Sequence, residues 1–269
     1  MDFKTARRAI FLSSSSIKTG LIRFFGGEPL LNFKVIEKTV SWSKKKFREV
    51  SFDITTNGLL LNRKITAFLK NRSEVELIIS SNQQKVFRDK NLTKEILKLP
   101  KTTININLLP GQIEQNKRLF KKLLRIGFSR FNFLPIYYTA WKQNEIKELE
   151  KNLKEMGEII KLRQEEIYVK NLDSYSPVPL FNPVPSIDCQ GDIYAGNFFL
   201  DKRFHAWNNL LKLGNVHRAK SWKKINDLLP VFNFQKIVKD VFSEKIINST
   251  RQVDKALTKF CQSIENEKS

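Results

Sequence analysis

Three short segments of this sequence combine residue types that could bind a ligand. They are residues 26–29 in FFGGEPLL, residues 56–58 in ITTNGLLL, and the serines at 80 and 81 in LIISSNQQ. A turn with two glycines lets backbone carbonyls approach a bound molecule, which a Cβ would obstruct. A bulky apolar strand that ends abruptly in Gly-Gly-Glu-Pro therefore indicates a strand end that faces a ligand.

The elements around these segments alternate regularly. Hydrophobic period and turn residues predict five strands, at 21–25, 51–56, 75–80, 103–109 and 130–135. Helices are predicted at 2–16, 33–47, 62–71, 92–98, 112–126 and 142–161. Apolar strands that alternate with helices are typical of a parallel sheet covered by helices, an α/β fold.

In parallel sheets of this kind, ligands bind beyond the C-terminal ends of the strands. The turn residues of the predicted strands fall at those ends; they are Gly26, Gly27, Asn57, Gly58, Ser80, Ser81 and Pro135. The sequence thus predicts a ligand site along one edge of the sheet.

The pattern changes after about residue 165. The stretch SIDCQGDIYAGNFFL has two short alternating runs around residues 190–192, which predict a β-hairpin, and LKLGNV adds a further extended piece. From Lys220 onward the pattern is helical, with Pro230 breaking it once. We therefore predict two domains, an α/β domain over 1–164 and a small α+β extension over 165–269.

The chain carries 48 Lys and Arg against 27 Asp and Glu, a formal net charge of +21. Such a charge could attract nucleic acid. The basic residues are mostly lysines, scattered along predicted helices with acids between them. We therefore favour a lysine-rich surface over a nucleic-acid interface.

The longest apolar runs, such as ELIIS and FNFLPIYY, fall far short of the roughly 20 residues that a membrane-spanning helix needs. The N-terminal stretch MDFKTARRAIFLSSSS has an acid at position 2 and an amphipathic pattern, unlike a secretory signal. We expect no membrane association and a cytoplasmic location.

Few residues suggest metal or acid–base chemistry. Cys189 and Cys261 lie far apart and outside any C-x-x-C spacing, so they cannot alone hold a four-ligand metal site. Each is interpreted as a small buried residue. His205 and His217 both lie in the predicted extension and are interpreted as surface or capping residues. No metal site and no catalytic residue is predicted.

In these motifs and their order, the chain resembles the radical SAM superfamily, specifically the peptide- and protein-modifying enzymes that are similar to sulfatase-maturating enzymes. FFGGEPLLNF resembles the GGEP motif after the second barrel strand, and ITTNGLLL resembles the TNG after the third. LIISSNQQKVFRDKN stands in the place of the SxDG segment, and LLRIGFSRFNFLP is similar to the last part of the barrel. IDCQGDIYAGN and the later LGNV resemble the hairpin that begins a SPASM or twitch extension. The resemblance covers about residues 3–217.

The resemblance implies a partial (β/α)6 radical SAM barrel that lacks its first strand, with a small α+β C-terminal extension. It also implies that S-adenosylmethionine is the cofactor. The implied cofactor-binding residues are Gly26, Gly27, Glu28, Pro29, Thr56, Asn57 and Ser80. In the family the glycine turn holds the amino group of the cofactor, and bonds from an ammonium to a carboxylate are charge-assisted. The alternative for this segment is a tight βα turn, with Glu28 near a helix N-terminus where an acid is favourable.

The sequence departs from the family where iron is bound. The family's C-x-x-x-C-x-x-C loop, whose thiolates hold a 4Fe-4S cluster, is absent, and no cysteine precedes Cys189. The usual Asp-Gly is replaced by Asn82-Gln83, and the expected arginine is Leu92, with Arg88 as a substitute. The cysteines of SPASM auxiliary clusters are missing, with Ala195-Gly196 at one such place.

Without a first barrel strand, residues 21–25 would form an exposed edge of an apolar sheet, which favours pairing with another strand. A separately encoded N-terminal segment is one expected partner for that edge. A truncated reading frame is the other explanation of the missing strand.

Two functions follow from the resemblance, and a third from the charge. The first is a radical SAM enzyme, truncated or split, that modifies a peptide or protein but generates no radical as this chain alone. It would receive its 4Fe-4S cluster only from an N-terminal segment outside this sequence. The second is a non-catalytic protein, derived from the fold, that binds a peptide or a nucleotide. The third, nucleic-acid binding, has no motif to support it.

Overall fold

The computed structural model describes residues 1–14, 20–47, 49–80, 84–173, 184–229 and 232–265. Six parallel strands form one sheet in the order β1-β2-β3-β4-β5-β6, and three antiparallel strands form a second in the order β7-β8-β9. The strands are β1 Gly20–Phe24, β2 Val50–Thr56, β3 Val75–Ser80, β4 Thr102–Leu108, β5 Arg130–Pro135, β6 Tyr168–Val169, β7 Ser186–Ile187, β8 Asp192–Tyr194 and β9 Lys212–Asn215.

The described helices precede, connect and follow these strands. They are α1 Phe3–Ser14, α2 Phe33–Lys46, α3 Arg63–Leu69, α4 Lys90–Leu97, α5 Ile113–Ile126, α6 Gln143–Lys161, α7 Asn208–Leu211, α8 Trp222–Asn226, α9 Phe234–Val241 and α10 Glu244–Glu265. Over the residues covered by the structure, no helix is both long and apolar enough to cross a membrane.

This architecture confirms the predicted α/β fold with a partial barrel of parallel strands. All five predicted strands are present within one or two residues of their predicted bounds. The hairpin near residues 190–192 is also confirmed, since β7 and β8 pair antiparallel and β9 joins β8. The sixth parallel strand, β6, was not predicted, because two residues are too few to show a hydrophobic period. Pro230 lies outside the described residues.

The chain divides into two compact units. The first unit comprises Met1–Thr55, Arg72–Glu76 and Pro179–Val241, and the second comprises Thr56–Asn71, Leu77–Val178 and Phe242–Ser269. The predicted domain boundary at residues 164/165 stays a prediction.

In the first unit, helix α1 packs against the C-terminal antiparallel sheet. Its apolar side supplies Ala9 and Leu12 to a cluster of buried residues that also contains Ile193, Val216, Trp222 and Ile225. The partly buried Arg8 donates from Nε to the Val216 carbonyl at 3.1 Å and from Nη2 to the Ala219 carbonyl at 2.9 Å. The N-terminal helix is thus joined to residues more than 200 positions away by both apolar and charged contacts.

The first strand of the parallel sheet has an exposed side. β1 pairs with β2 from Gly20↔Val50 to Phe24↔Ile54, and among the described strands no other pairs with β1. Arg23 is tied to the buried Asp53 by an ion pair of 3.0 Å. Leu21 and Phe25 remain 54% and 53% exposed. In the described part of the chain, residues 20–25 thus form an apolar sheet edge, as the sequence predicted.

In the second unit, helices cover one face of strands β4 and β5. The ring of Phe120 on α5 meets Phe131 and Phe133 edge-on, at centroid distances of 4.9 and 5.5 Å. Phe260 on α10 meets Phe133 at 5.1 Å. Gly157 on α6 faces Phe260, since a Cβ there would lie 3.6 Å from its ring. These aromatic contacts form the core of the second unit.

We predict that Arg8→Ala destabilises the first unit by about 1–2 kcal/mol, because it removes two hydrogen bonds from a charged donor to backbone carbonyls. Urea unfolding followed by tryptophan fluorescence measures the change. The adjacent Arg7 is exposed, so Arg7→Ala serves as the matched control. Equal effects of the two substitutions would show that the Arg8 bonds do not stabilise the unit.

Candidate functional site

In the first unit, the glycine turn directly follows β1. Gly26 has φ +91° and Gly27 has φ +50°, both in the left-handed region that side chains disfavour. A Cβ on Gly26 would lie 3.3 Å from a Leu200 side-chain carbon, whereas a Cβ on Gly27 would meet no atom of the described residues within 4 Å. The turn therefore needs glycine at both positions, and at Gly27 it presents bare backbone to open space.

Glu28 and Pro29 begin a short 3-10 helix over Pro29–Asn32. Glu28 is its N-cap, and its Oε1 accepts from the Leu30 backbone N–H at 3.0 Å. Pro29 occupies the first helical position, where its missing N–H costs nothing. The carboxylate thus has the structural role that the sequence left open.

In the second unit, the Thr56-Asn57-Gly58 turn is shaped by its own side chains. The Thr56 hydroxyl accepts from the Gly58 N–H at 3.0 Å, and the Asn57 Oδ1 accepts from the Leu59 N–H at 2.9 Å. Gly58 has φ +80°. Thr56 is only 2% exposed, while Asn57 is partly exposed. Of these two predicted site residues, Asn57 is therefore the one with accessible surface at the strand end.

Ser80, at the end of β3, stands in a row of polar residues across three strands. The strand registers pair Ser80 with Asn105 on β4 and Asn105 with Asn132 on β5. The Asn132 Nδ2 donates to the Asn105 Oδ1 at 3.0 Å. Of these three residues, only Ser80 was predicted to belong to a site. The alternation of polar and apolar residues in TININL and RFNF is the signal that could have identified the asparagines.

Several further features were predicted after β3. Ser81, Asn82 and Gln83 lie outside the described residues. Arg88 is exposed in the turn before α4, and Leu92 lies on α4.

Beyond β5, the second unit has a polar pair that sequence reasoning missed. The Tyr137 hydroxyl donates to Asp254 on α10 at 2.9 Å. Burial raises the pKa of the Tyr137 hydroxyl, and the nearby Asp254 charge adds to this effect. Burial also raises the pKa of the Asp254 carboxyl, against the opposing effect of the Tyr137 hydrogen bond. The partners are 117 positions apart, so no local pattern could have indicated them.

The neighbouring Tyr138 holds an uncommon backbone conformation. Its φ of 56° makes it the single non-glycine residue with positive φ in the described part of the chain. Its N–H donates to the Thr250 hydroxyl at 2.9 Å, and its ring stacks on Phe242 at 4.7 Å. Contacts from Thr250 on α10 and from Phe242 before it thus hold a strained segment directly after the end of β5.

The cysteines do not form a metal site. Cys189 is exposed in the first unit, and Cys261 is buried on α10 of the second. Burial raises the pKa of the Cys261 thiol to about 12, so it is not a thiolate at neutral pH. Within the described ranges, no three His, Cys, Asp or Glu side chains are placed to hold a metal ion. The expectation that Cys189 is buried is wrong, because the tight hairpin turn leaves it on the surface.

Both histidines are exposed, as their interpretation as surface or capping residues predicted. His205 is exposed in the last turn of a 3-10 helix, and the His217 Nε2 is 3.1 Å from the Thr5 hydroxyl.

Comparisons of sequence match short stretches of known proteins. No protein-family model matches the chain. A stretch of 72 residues is 42% identical to the uncharacterized protein MJ0907 of Methanocaldococcus jannaschii, over 26% of this chain and 25% of that protein. A stretch of 60 residues is 42% identical to the radical SAM cyclopropyl synthase TigE of Paramaledivibacter caminithermalis, over 22% of this chain and 12% of that protein. The matches thus span a quarter or less of these relatives.

Comparisons of structure cover nearly the whole chain. The solved structure of native anSMEcpe with bound AdoMet and a peptide matches 99% of this chain and 90% of that one, with a TM-score of 0.69 and 14% identity. Streptococcus suis SuiB bound to precursor peptide SuiA matches 85% of this chain and 58% of that one, with a TM-score of 0.58 and 16% identity. At these identities the likeness shows the fold. It confirms the resemblance to radical SAM peptide-modifying enzymes that the motifs indicated.

We predict that Gly58→Ala destabilises the protein more than Gly27→Ala does. The left-handed conformation alone costs an alanine about 1–2 kcal/mol at either position. At Gly58 the Cβ would also lie 3.2 Å from the Val86 Cγ2 and 3.3 Å from the Ile79 Cγ2, which adds about 1 kcal/mol of overpacking. Chemical denaturation of both variants measures the difference. A loss at Gly27 as large as that at Gly58 would contradict the open space at the glycine turn.

Proposed function

We propose that this protein is the cofactor- and peptide-binding part of a radical SAM enzyme that modifies a peptide or protein. The observation that supports it best is the Gly26-Gly27 turn, with both residues left-handed and bare backbone after β1. The turn occurs within a fold that matches AdoMet- and peptide-bound structures over nearly the whole chain. The sequence identity to the radical SAM cyclopropyl synthase TigE points the same way.

The proposed cofactor is S-adenosylmethionine. Its ammonium group would donate to the open backbone at Gly27 and to the Glu28 carboxylate, an arrangement of charge-assisted hydrogen bonds. Pro29 would fix the start of the helix that Glu28 caps. The resemblance also assigns cofactor contacts to Thr56, Asn57 and Ser80 of the second unit, and these stay predictions. When bound beside a reduced iron–sulfur cluster, this cofactor supplies a radical that abstracts hydrogen from the substrate.

The residues of this chain do not fit a 4Fe-4S cluster. A cluster needs thiolate ligands, and the sequence holds two cysteines, one exposed and one a buried thiol. We propose that the cluster ligands belong to an N-terminal segment that is not in this sequence, supplied by a longer reading frame or as a separate chain. The exposed edge at residues 20–25 would pair with that segment. By itself the chain would then generate no radical.

A second candidate is a non-catalytic protein that binds a peptide or a nucleotide with the same strand ends. The absence of thiolate ligands among the 269 residues favours it over an enzyme complete in itself. In either case we place the protein in the cytoplasm and keep the division into a barrel over 1–164 and an extension over 165–269.

We predict that the purified chain binds S-adenosylmethionine saturably and that Glu28→Gln weakens this binding about tenfold, as expected when a charge-assisted bond to an ammonium is lost. Glutamine keeps an oxygen that can accept from the Leu30 N–H, so the helix cap survives. Equilibrium dialysis with labelled cofactor measures both affinities.

Glu37→Gln on α2 is the matched control, since it makes the same charge change in the same unit. If both variants weakened cofactor binding equally, the effect would come from the change in net charge and not from a bond to Glu28. Failure of the unsubstituted protein to bind would overturn the cofactor assignment.

We predict that anaerobic iron–sulfur reconstitution leaves this chain without a 4Fe-4S cluster, because three thiolate ligands are not available. Iron and sulfide analysis together with electron paramagnetic resonance measure the outcome. Cys189→Ser is the control, because it removes the exposed thiol that could bind iron adventitiously. A stoichiometric four-iron cluster with a reducible signal on the unsubstituted chain would contradict this prediction.

A further inference from the structure

The second unit contains a pair of asparagines, Asn105 and Asn132, whose side-chain amides are joined by one hydrogen bond. Asn105 and Asn132 are register partners on β4 and β5, and Ser80 on β3 is the register partner of Asn105. Register partners in a parallel sheet direct their side chains to the same face. The residues next to them in sequence, Ile104 and Phe131, are fully buried on the face that the helices cover. The polar row therefore lies on the face away from those helices.

The Asn105–Asn132 pair leaves one amide nitrogen and one amide oxygen without a bond among the described residues. Its single hydrogen bond joins the Asn132 Nδ2 to the Asn105 Oδ1, which leaves the Asn105 Nδ2 and the Asn132 Oδ1. Either orientation of the two amides would leave one nitrogen and one oxygen. Among the described residues, no further hydrogen bond engages these two atoms, although Asn105 is only 6% exposed. Asn132 is partly exposed, and neither atom is among the fully buried polar atoms that lack a partner, so both are accessible to a ligand.

Two other asparagines of the second unit bond to backbone groups. Asn171 accepts from the Phe133 N–H at 2.8 Å and donates to the Phe133 carbonyl at 2.9 Å, so it extends the edge of β5. Asn116 on α5 donates to the Asn107 carbonyl at 2.9 Å. The Asn105–Asn132 pair differs because it bonds to no backbone group through its side chains.

Toward the start of β5, the next residue on the same face as the row is Arg130. Two residues before Asn132, and on the same face of β5, the Arg130 guanidinium lies 3.7 Å from the centre of the Tyr168 ring on β6. Neighbouring strands lie about 4.8 Å apart, so the row from Ser80 to Asn132 spans roughly 10 Å. That length accommodates about three residues of an extended peptide.

We propose that the Asn105–Asn132 pair binds a carbonyl and an N–H that point the same way on the peptide substrate, with Ser80 as a third polar contact. The Asn105 Nδ2 donates to the carbonyl, and the Asn132 Oδ1 accepts from the N–H. Two peptide groups have this chemistry: the primary carboxamide of an Asn or Gln side chain, and a single extended backbone residue. The inference rests on the proposed peptide substrate and deepens it.

The test follows the side-chain amide signals of Asn105 and Asn132 by NMR in the ¹⁵N-labelled full chain. Propionamide represents the primary carboxamide, N-acetylglycine N-methylamide represents an extended residue, and methyl propionate matches propionamide but lacks the N–H. We expect both signals to shift saturably with one of the two amides and not with the ester. The amide that shifts them identifies which peptide group is bound. Shifts with neither amide, or equal shifts with the ester, would overturn the proposal.

Variants of the asparagine pair test the same interaction. Their binding of the amide probe is measured by saturation-transfer NMR, which observes the signals of the probe. Replacing both partners, N105L/N132L, removes the donor and acceptor together and leaves no unpaired amide, so the fold is expected to survive. Affinity for the active amide should fall at least about tenfold. If that variant does not fold, Asn132→Asp leaves only acceptors in the pair and should weaken amide binding likewise. Unchanged affinity in a folded variant would overturn the proposal.

Asn152→Leu is the matched control. Asn152 is also a buried asparagine of the second unit, but it lies on α6 outside the sheet, and its Oδ1 faces no partner among the described residues. The Asn152→Leu variant should bind the amide probe with the same affinity as the unsubstituted protein. Binding of S-adenosylmethionine is measured in the same samples. Cofactor binding without amide shifts would overturn this inference alone, and amide shifts without cofactor binding would overturn the cofactor assignment alone.

Discussion

Burial of one face of the parallel strands under helices is the constraint on which the second unit depends. Phe131 and Phe133 on β5 contact Phe120 and Phe260, and a shift of the strand by one residue would move these rings to the opposite face. The same register aligns Asn105 with Asn132 on the other face. The packing that stabilises the core thus also positions the polar row.

The strand ends depend on a second constraint, the backbone conformation of their turns. Gly26, Gly27 and Gly58 all have positive φ, which only glycine adopts without strain. At Gly58 a Cβ would be crowded, at 3.2 Å from Val86 and 3.3 Å from Ile79, whereas at Gly27 it would meet no atom of the described residues within 4 Å. The first glycine turn therefore combines a conformational requirement with open space, as a backbone that contacts a ligand requires. This difference separates a turn that serves packing from one that is available for binding.

The chemistry that these residues support is recognition. Glu28 and the open glycine turn suit an ammonium, and the asparagine pair suits an amide. The two cysteines cannot supply the three thiolates of a cluster, since Cys261 stays a thiol at neutral pH and Cys189 is a single exposed thiol. The proposed radical chemistry therefore depends on ligands from outside these 269 residues. The exposed β1 edge is the place in the first unit where an added strand would form backbone hydrogen bonds.

The sequence by itself determined the alternation of strands and helices, because hydrophobic period and glycine turns are local signals. It located the glycine turn, the Asn57-Gly58 turn and the helix predicted at 112–126, which the structure ends at Ile126 before Gly127 with φ 110°. Only the tertiary structure decided which polar residues meet. Asn105 and Asn132 are 27 positions apart, Tyr137 and Asp254 are 117 apart, and Arg8 and Val216 are 208 apart. Contacts between distant positions leave no periodic trace in the chain, since they arise from strand register and helix packing.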